Sequence, residues 1–194
     1  MEYLVLPFIE IEIRLGTILS NKFDSCIDKK YFELINKSLN GGKWVSITKK
    51  NSMEYLSSKP NLRLINNTSL ILKENILTKN IGIVNSPFDI RYSVNQEFSL
   101  KSHINNFSKT NCITRDKKRI SYIDDNFRYD LTEVKEINNN ITKEKFEIEF
   151  ELIINKETLT WDSKYINDFI ECKIYDLINI VEPMEREKFK VNII

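Results

Sequence analysis

Ile9-Glu10-Ile11-Glu12-Ile13-Arg14-Leu15 and Phe146-Glu147-Ile148-Glu149-Phe150-Glu151-Leu152 both alternate, residue by residue, between apolar and charged side chains. A period of two is the signature of a β-strand with one face in a core. On such strands Glu10, Glu12 and Arg14 share one face of the first, and Glu147, Glu149 and Glu151 one face of the second, with same-face neighbours ~7 Å apart. Either segment alone reads as an amphipathic strand with a wet face. Together they read differently. Like charges on one strand face repel, so a surface strand ordinarily mixes signs. The two segments also lie near opposite ends of the strand-rich region, and closing a barrel brings its ends together, ~4.8 Å apart.

Carboxylates gathered in this way raise one another's pKa, and a divalent cation removes that penalty. All-oxygen ligation suits Mg²⁺ or Mn²⁺. Zinc would draw on His or Cys, but His103 is the sole histidine and Cys26, Cys112 and Cys172 are far apart. Those three thiols, odd in number and in no metal spacing, read as reduced cysteines of an intracellular protein.

The middle of the chain repeats the alternation with the opposite sign. Arg115, Lys117 and Arg119 are spaced by two, as are Arg128, Asp130 and Thr132, and as are Arg91, Ser93, Asn95 and Glu97; Arg63 and Lys73 sit on the candidate strands before them. Any one of these reads as a solvated face. With the acidic strands they fit a barrel whose interior is charged, carboxylates on one wall and guanidinium and ammonium groups on the other. The planar fork of arginine donates two bonds to one anion, so the ligand implied is compact, strongly anionic and metal-chelating: a polyphosphate or a nucleoside triphosphate end.

Candidate strands lie near 8–15, 44–50, 61–65, 69–74, 78–84, 88–97, 108–115, 118–124, 127–135 and 145–154. Helical spacing appears twice. Ile27, Tyr31, Leu34, Ile35 and Leu39 form a stripe over 27–40 that Gly41 and Gly42 stop, and Ile166, Ile170, Ile174, Leu177 and Val181 form one over 162–181, with Asp162 or Ser163 as cap and Pro183 beyond the end. The pattern is α+β, mainly antiparallel, and a sheet of so many strands manages its edges completely by closing into a barrel. The 194 residues fit one domain, 1–194, with no repeat or linker. Hydrophobic residues at 41% and charged residues at 29% exclude a disordered chain. The net charge of +1 excludes a broadly basic nucleic-acid coat, so any basic surface must be local. The start, with charges at Glu2 and at Glu10, Glu12 and Arg14, is neither a signal peptide nor a membrane span. The chain lacks alanine and is crowded with Asn, Ile and Lys, a bias that weakens the reading of Asn as a turn residue. His103 reads as a surface residue, and Gly41-Gly42-Lys43 as a helix end rather than a phosphate loop.

These residues match a known pattern. Glu10-Ile-Glu12-Ile-Arg14-Leu-Gly16 resembles the first motif, and Phe146-Glu147-Ile-Glu149-Phe-Glu151-Leu the last, of the metal-dependent RNA 5′-triphosphatases of fungal and viral mRNA capping, members of the triphosphate tunnel metalloenzymes. Arg14 stands where Lys is common, which keeps the charge. Arg115-Asp-Lys117-Lys-Arg119-Ile-Ser-Tyr followed by Arg128-Tyr-Asp130-Leu-Thr132-Glu-Val is similar to the capping subgroup, and to its small giant-virus members, in order and spacing. The resemblance spans residues 8–154. It implies an eight-stranded closed β-barrel with a few supporting helices, acting as a monomer on triphosphate-ended RNA, and on free nucleoside triphosphates with Mn²⁺. The reaction implied gives an RNA 5′-diphosphate and phosphate. The roles expected are Glu10, Glu12 and Glu151, joined by Glu149, on Mg²⁺ or Mn²⁺; Glu149 and Glu147, or Glu97, on the attacking water; Arg14, Arg63, Lys73, Arg91, Lys117, Arg119, Arg128 and Thr132 on the phosphates; and Arg115 and Asp130 orienting them through ion pairs. The resemblance further implies an intracellular, cytoplasmic setting (a viral factory or virion for a viral source). It also implies a lone triphosphatase or an excised N-terminal domain, joined covalently or non-covalently to a guanylyltransferase domain whose lysine-nucleotidyl motif is absent here. Two other readings stay open: a tripolyphosphatase or nucleoside triphosphatase of the same superfamily, and a barrel that grips phosphate without cleaving it.

Overall fold

The computed structural model describes residues 8–58, 61–183 and 189. In chain order the elements are β1 (Ile9–Leu19), β2 (Lys22–Asp24), α1 (Lys29–Asn40), β3 (Ser46–Ser58), β4 (Asn61–Ile65), β5 (Ser69–Ile81), β6 (Asp89–Ser99), β7 (Ile113–Ile123), β8 (Phe127–Asn138), β9 (Ile141–Leu152) and α2 (Ser163–Val181). The strands pair in the order β1-β6-β5-β4-β3-β7-β8-β9, and β9 pairs back onto β1. This is a closed eight-stranded antiparallel barrel, with β2 folded onto the end of β1. Closure sets Glu12 opposite Glu151 and Arg14 opposite Glu149 across the β1–β9 seam.

The barrel is apolar outside and charged inside. The odd residues of β1 (Ile11, Ile13, Leu15) and the even residues of β9 (Ile148, Phe150, Leu152) are buried in one core with Tyr129, Leu131, Ile90, Tyr92 and Val94. The two helices cover that outer surface. Asp162 caps α2 by accepting from the Tyr165 N–H at 2.7 Å, and α2 buries Ile166, Ile170, Ile174, Leu177 and Ile178. Val181, expected on this stripe, is only partly buried, as the last residue of the helix. In α1 the cap is Asp28, and the buried residues are Phe32, Ile35 and Leu39. Leu34, expected on the stripe, is 43% exposed; the inward face carries Phe32, packed against Phe146 of β9, with Ile35 and Leu39.

Several strand boundaries differ from expectation. The segments 69–74 and 78–84 are one strand, β5, interrupted by a bulge between Asn75 and Leu77. The segments 108–115 and 118–124 are the single strand β7, which begins only at Ile113, and 44–50 extends to Ser58. Strand β1 runs on to Leu19, and β2 was not foreseen. Asparagine does mark turns here. Ser20 and Asn21 join β1 to β2, and Asn139 and Asn140 join β8 to β9, each with both φ values positive as in a type I′ hairpin; Asn66, Asn67, Asn85 and Asn111 also carry positive φ. Among the described residues no helix is long and apolar enough to cross a membrane. His103 lies in a 3-10 turn at Lys101–Asn106, with its side chain outside the described part, and residues 1–7 lie outside it too.

Candidate active site

Strand alternation turns one face of every barrel strand into the lumen, so charges far apart in sequence meet there. On β1, Arg14 reaches Glu149 on β9, Nε to Oε1 2.8 Å, and Glu12 on its own strand at 3.3 Å. Glu12 also accepts from the Asn95 amide at 3.3 Å and pairs with Lys73 at 3.3 Å. Lys73 binds Glu10 as well and reaches Glu97 at 3.3 Å, so one ammonium from β5 sits among three carboxylates of β1 and β6. Across the lumen Arg119 donates to Thr132 at 3.0 Å, Asp130 at 2.8 Å and Glu149 at 3.0 Å. Arg128 donates to Asp130 at 3.1 Å and Glu151 at 2.6 Å. Arg115 donates to Glu147 at 2.5 Å and lies 3.5 Å from Glu136. Lys117 pairs with Glu54 at 2.8 Å, and Arg63 with the same oxygen at 3.7 Å.

Burial and partner charge decide the protonation states. Burial alone would raise the Glu149 carboxyl, but Arg14 and Arg119 outweigh it and hold it well below the usual carboxylate range. Glu151 goes the other way. Burial, with Glu10, Asp130 and Glu149 close by and Arg128 the opposing charge, pushes its carboxyl up to about 8. Burial brings the Lys117 ammonium down to about 8, with Arg115, Arg63 and Arg119 adding to the effect against Glu54. Burial would lower Lys73 too, but Glu12, Glu10 and Glu97 together raise it.

The expected acidic, basic and polar residues therefore line one channel, from Glu10 and Glu12 round to Thr132. Arg91 differs from the other arginines. It faces Arg14 across β1–β6, donates to Asn80 at 2.9 Å and packs on Phe23, and among the described residues it makes no ion pair. Sequence reading missed Glu54, which holds Lys117 and Arg63, and gave no role to Asn95 or Glu136. The available signal was the alternation Ser52, Glu54, Leu56, hidden because Lys49, Lys50 and Asn51 leave both faces of β3 polar.

The family model described as mRNA capping enzyme, beta chain, matches residues 45–180. The chain belongs to that family. The match covers β3 through most of α2, so β1 with Glu10, Glu12 and Arg14 precedes it, although β1 closes the barrel in register. This capping-family chain shares its fold with the S. pombe Pct1 RNA triphosphatase, at TM-score 0.72 and 19% identity over 91% of this chain and 88% of that one. The same S. pombe protein in complex with the Spt5 CTD gives 0.69 and 18%, over 91% and 88%. The Mimivirus capping enzyme triphosphatase gives 0.63 and 19%, over 93% and 92%. No curated protein matches the sequence. The family resemblance carried by the motifs at residues 8–154 is borne out, and with it the tunnel fold.

Among the described residues no three acidic, His or Cys side chains are gathered as a metal would require. Each lumen carboxylate is turned to Arg or Lys instead, which offsets the repulsion anticipated from the sequence. The donor set still fits a hard divalent cation. The candidate donors are carboxylate oxygens, Glu12 and Glu151 are cross-strand partners at the seam, and Glu10 follows on the same face of β1. Burial first, and then its acidic neighbours, favour a proton on Glu151, which a cation would displace.

Proposed function

We propose that this protein hydrolyses the γ-phosphate of RNA 5′-triphosphate ends, giving 5′-diphosphate RNA and inorganic phosphate, the first step of mRNA capping. The observation that carries the reading is a closed channel in which Arg119 of β7 is held by Asp130 and Thr132 of β8 and by Glu149 of β9, so that cation and carboxylates meet in one lumen. Family membership supports the same reading. Residues 1–194 act in it as one domain.

Arg119, Lys117, Arg63 and Arg128 hold the phosphate oxygens, and Arg115 and Asp130 fix their neighbours by ion pairs. Arg14 and Arg119 keep Glu149 ionised, so that it accepts hydrogen bonds and orients the attacking water in line with the scissile bond; Glu147 lies two residues along the same face. Phosphoryl transfer asks mainly for such positioning and charge neutralisation. Glu10, Glu12 and Glu151 would hold Mg²⁺ or Mn²⁺, which supplies Lewis-acid neutralisation of the γ-phosphate. Water's oxygen bonds to the γ-phosphorus as the β–γ bridging bond breaks, and the proton leaves to solvent.

Purified protein should release phosphate from γ-labelled RNA only with divalent metal. Glu12→Ala and Glu149→Ala should each cost roughly 10²–10³-fold, by analogy with loss of one transition-state donor, while circular dichroism shows a folded barrel. Full activity in either variant sinks the assignment. Faster turnover of inorganic tripolyphosphate than of triphosphate-ended RNA would move the substrate to the small polyphosphates, and binding without turnover would leave a phosphate-gripping barrel.

A further inference from the structure

One mouth of the tunnel carries a feature that phosphate chemistry does not use. Strand β1 presents Glu10, Glu12 and Arg14 to the lumen, and the next position on that face is Gly16. A Cβ there would lie 2.1 Å from the Asp24 carbonyl oxygen and 2.6 Å from Cζ of Phe23. The β1–β2 hairpin thus folds back over the place where a side chain would stand, and the missing Cβ admits the Phe23 ring. From there the chain runs across the β9 side of the mouth. Ser25 donates to the lumen carboxylate of Glu147 at 3.2 Å, and the Ile27 N–H to the Phe146 carbonyl at 2.9 Å. On the β6 side, the Arg91 guanidinium lies 4.6 Å from the centroid of the Phe23 ring.

Phe23 and Arg91 are only partly buried. Arg91 makes no ion pair among the described residues, and burial together with the nearby Arg14 disfavours its charge. A phenyl ring beside a guanidinium that makes no ion pair among the described residues and is held by Asn80 is a platform for a nucleobase, since bases stack on aromatic faces and on arginine planes alike. The distance of its Phe23 side from Glu12, a proposed metal ligand, suits that use. Gly16 lies four residues from Glu12 along β1, about 13 Å at strand rise, a span that a triphosphate and its sugar can bridge.

We propose that the Phe23–Arg91 pair stacks the first nucleobase of the substrate, so that the tunnel reads a nucleoside triphosphate end rather than a bare polyphosphate chain. The inference rests on the proposed triphosphatase reading and adds to it the basis of substrate choice. Stacking is tolerant of base identity, so A, G, C and U ends should be accepted with modest differences.

The test is binding, measured by calorimetry in Ca²⁺ to suppress turnover, with ATP, a triphosphate-ended oligonucleotide and inorganic tripolyphosphate as probes. The wild-type protein should bind ATP and the oligonucleotide more tightly than tripolyphosphate. Phe23→Leu, which keeps an apolar group over Gly16 but removes the π face, should shrink that advantage on the order of tenfold for both nucleotide probes; Phe23→Trp should preserve or increase it. An unchanged ratio in Phe23→Leu, or equal weakening of all three probes, overturns the proposal and makes the pair a structural plug, while tight tripolyphosphate binding leaves the tunnel reading standing. If the wild-type protein binds none of the probes, the tunnel reading falls and the proposal with it.

Discussion

Lys73→Met should destabilise the metal-free protein and make it unusually responsive to divalent cations. The Lys73 ammonium is buried, 8% exposed, and it pairs with Glu10, Glu12 and Glu97. Met keeps the length of the side chain and removes the charge, leaving Glu10 and Glu97 without their counter-ion and Glu12 with Arg14 alone. Breaking a buried pair from one side costs about 3–5 kcal/mol. In a chain of this size each kcal/mol moves the melting temperature about 2–4 °C, so a fall of roughly 6–20 °C is expected. The deficit should be constant between pH 6 and 9. The raised Lys73 pKa gives a contribution that is complete below the unfolded lysine pKa of ~10.4 and lost only as pH rises through the still higher folded value. On the proposed reading, divalent metal competes with Lys73 for the same oxygens. In the wild-type protein it would have to displace the ammonium, whereas in Lys73→Met it would meet Glu10 and Glu97 without a partner cation and Glu12 held by Arg14 alone. At a hundred times its Kd a cation stabilises by about 2.7 kcal/mol, and the variant should reach that at lower Mn²⁺ concentration than the wild type. Thermal and urea denaturation across a Mn²⁺ titration measure both effects. Equal melting temperatures without metal, or equal Mn²⁺ midpoints with it, would refute the claim that lysine and metal share one site.

Asp130→Ala strips Arg119 and Arg128 of a shared acceptor that is 1% exposed, and should cost about 3–5 kcal/mol in urea denaturation. Tripolyphosphate affinity should fall as pH rises through about 8, because the anion favours charged Lys117 and a protonated Glu151; calorimetry from pH 6.5 to 9.5 checks this, and Lys117→Arg should reduce the dependence to the part that Glu151 contributes. The same lowered pKa means that the folded protein holds fewer protons than the unfolded chain between about 8 and ~10.4, so Lys117 makes stability rise with pH across that window. Gly16→Ala should destabilise by about 1–3 kcal/mol, since a Cβ 2.1 Å from the Asp24 carbonyl forces the hairpin to move. Amide exchange should be slowest in β1, β8 and β9 and faster in β3; uniform protection around the barrel would contradict the packing described.

How far the sequence could be read follows from what covers each strand outside. Over 9–15 of β1 and 146–152 of β9 helices and core lie against one face and the charged lumen against the other, so every second residue is forced apolar and the alternation there is complete. Strand β3 has no such cover. Ile47 is 45% exposed and Lys49 and Asn51 are also exposed, so its outer face need not be apolar, period two disappears, and Glu54 was lost with it. The breaks placed in β5 and β7 have kindred causes: a bulge that shifts the register at Asn75, and the exposed Asp116 and Lys118 on the outer face of β7. The Phe23–Arg91 contact was illegible for another reason. It depends on a hairpin folding over Gly16, and no local pattern announces where a two-residue turn will carry its second strand.

The same asymmetry bears on how the channel works. The wall that carries Glu12, Glu149, Glu151, Asp130 and Arg128 stands on strands whose outer residues are almost fully buried, from Ile13 and Phe150 at 0% exposed to Tyr129 at 3%. Rotamers locked on such a backing hold oxygens where a cation and a water need them. The opposite wall supplies Glu54, Arg63 and Lys117 from β3, β4 and β7 and is thinner on the outside, with Ile47, Lys49 and Asn51 of β3 exposed. Long basic side chains on a less constrained wall can follow a phosphate chain along the channel, whereas the carboxylates cannot be allowed to wander. Placing most of the acids on the braced seam, with Arg14 and Arg128 fixed beside them, and the long side chains of Arg63 and Lys117 on the yielding side with Glu54, meets both requirements in one barrel.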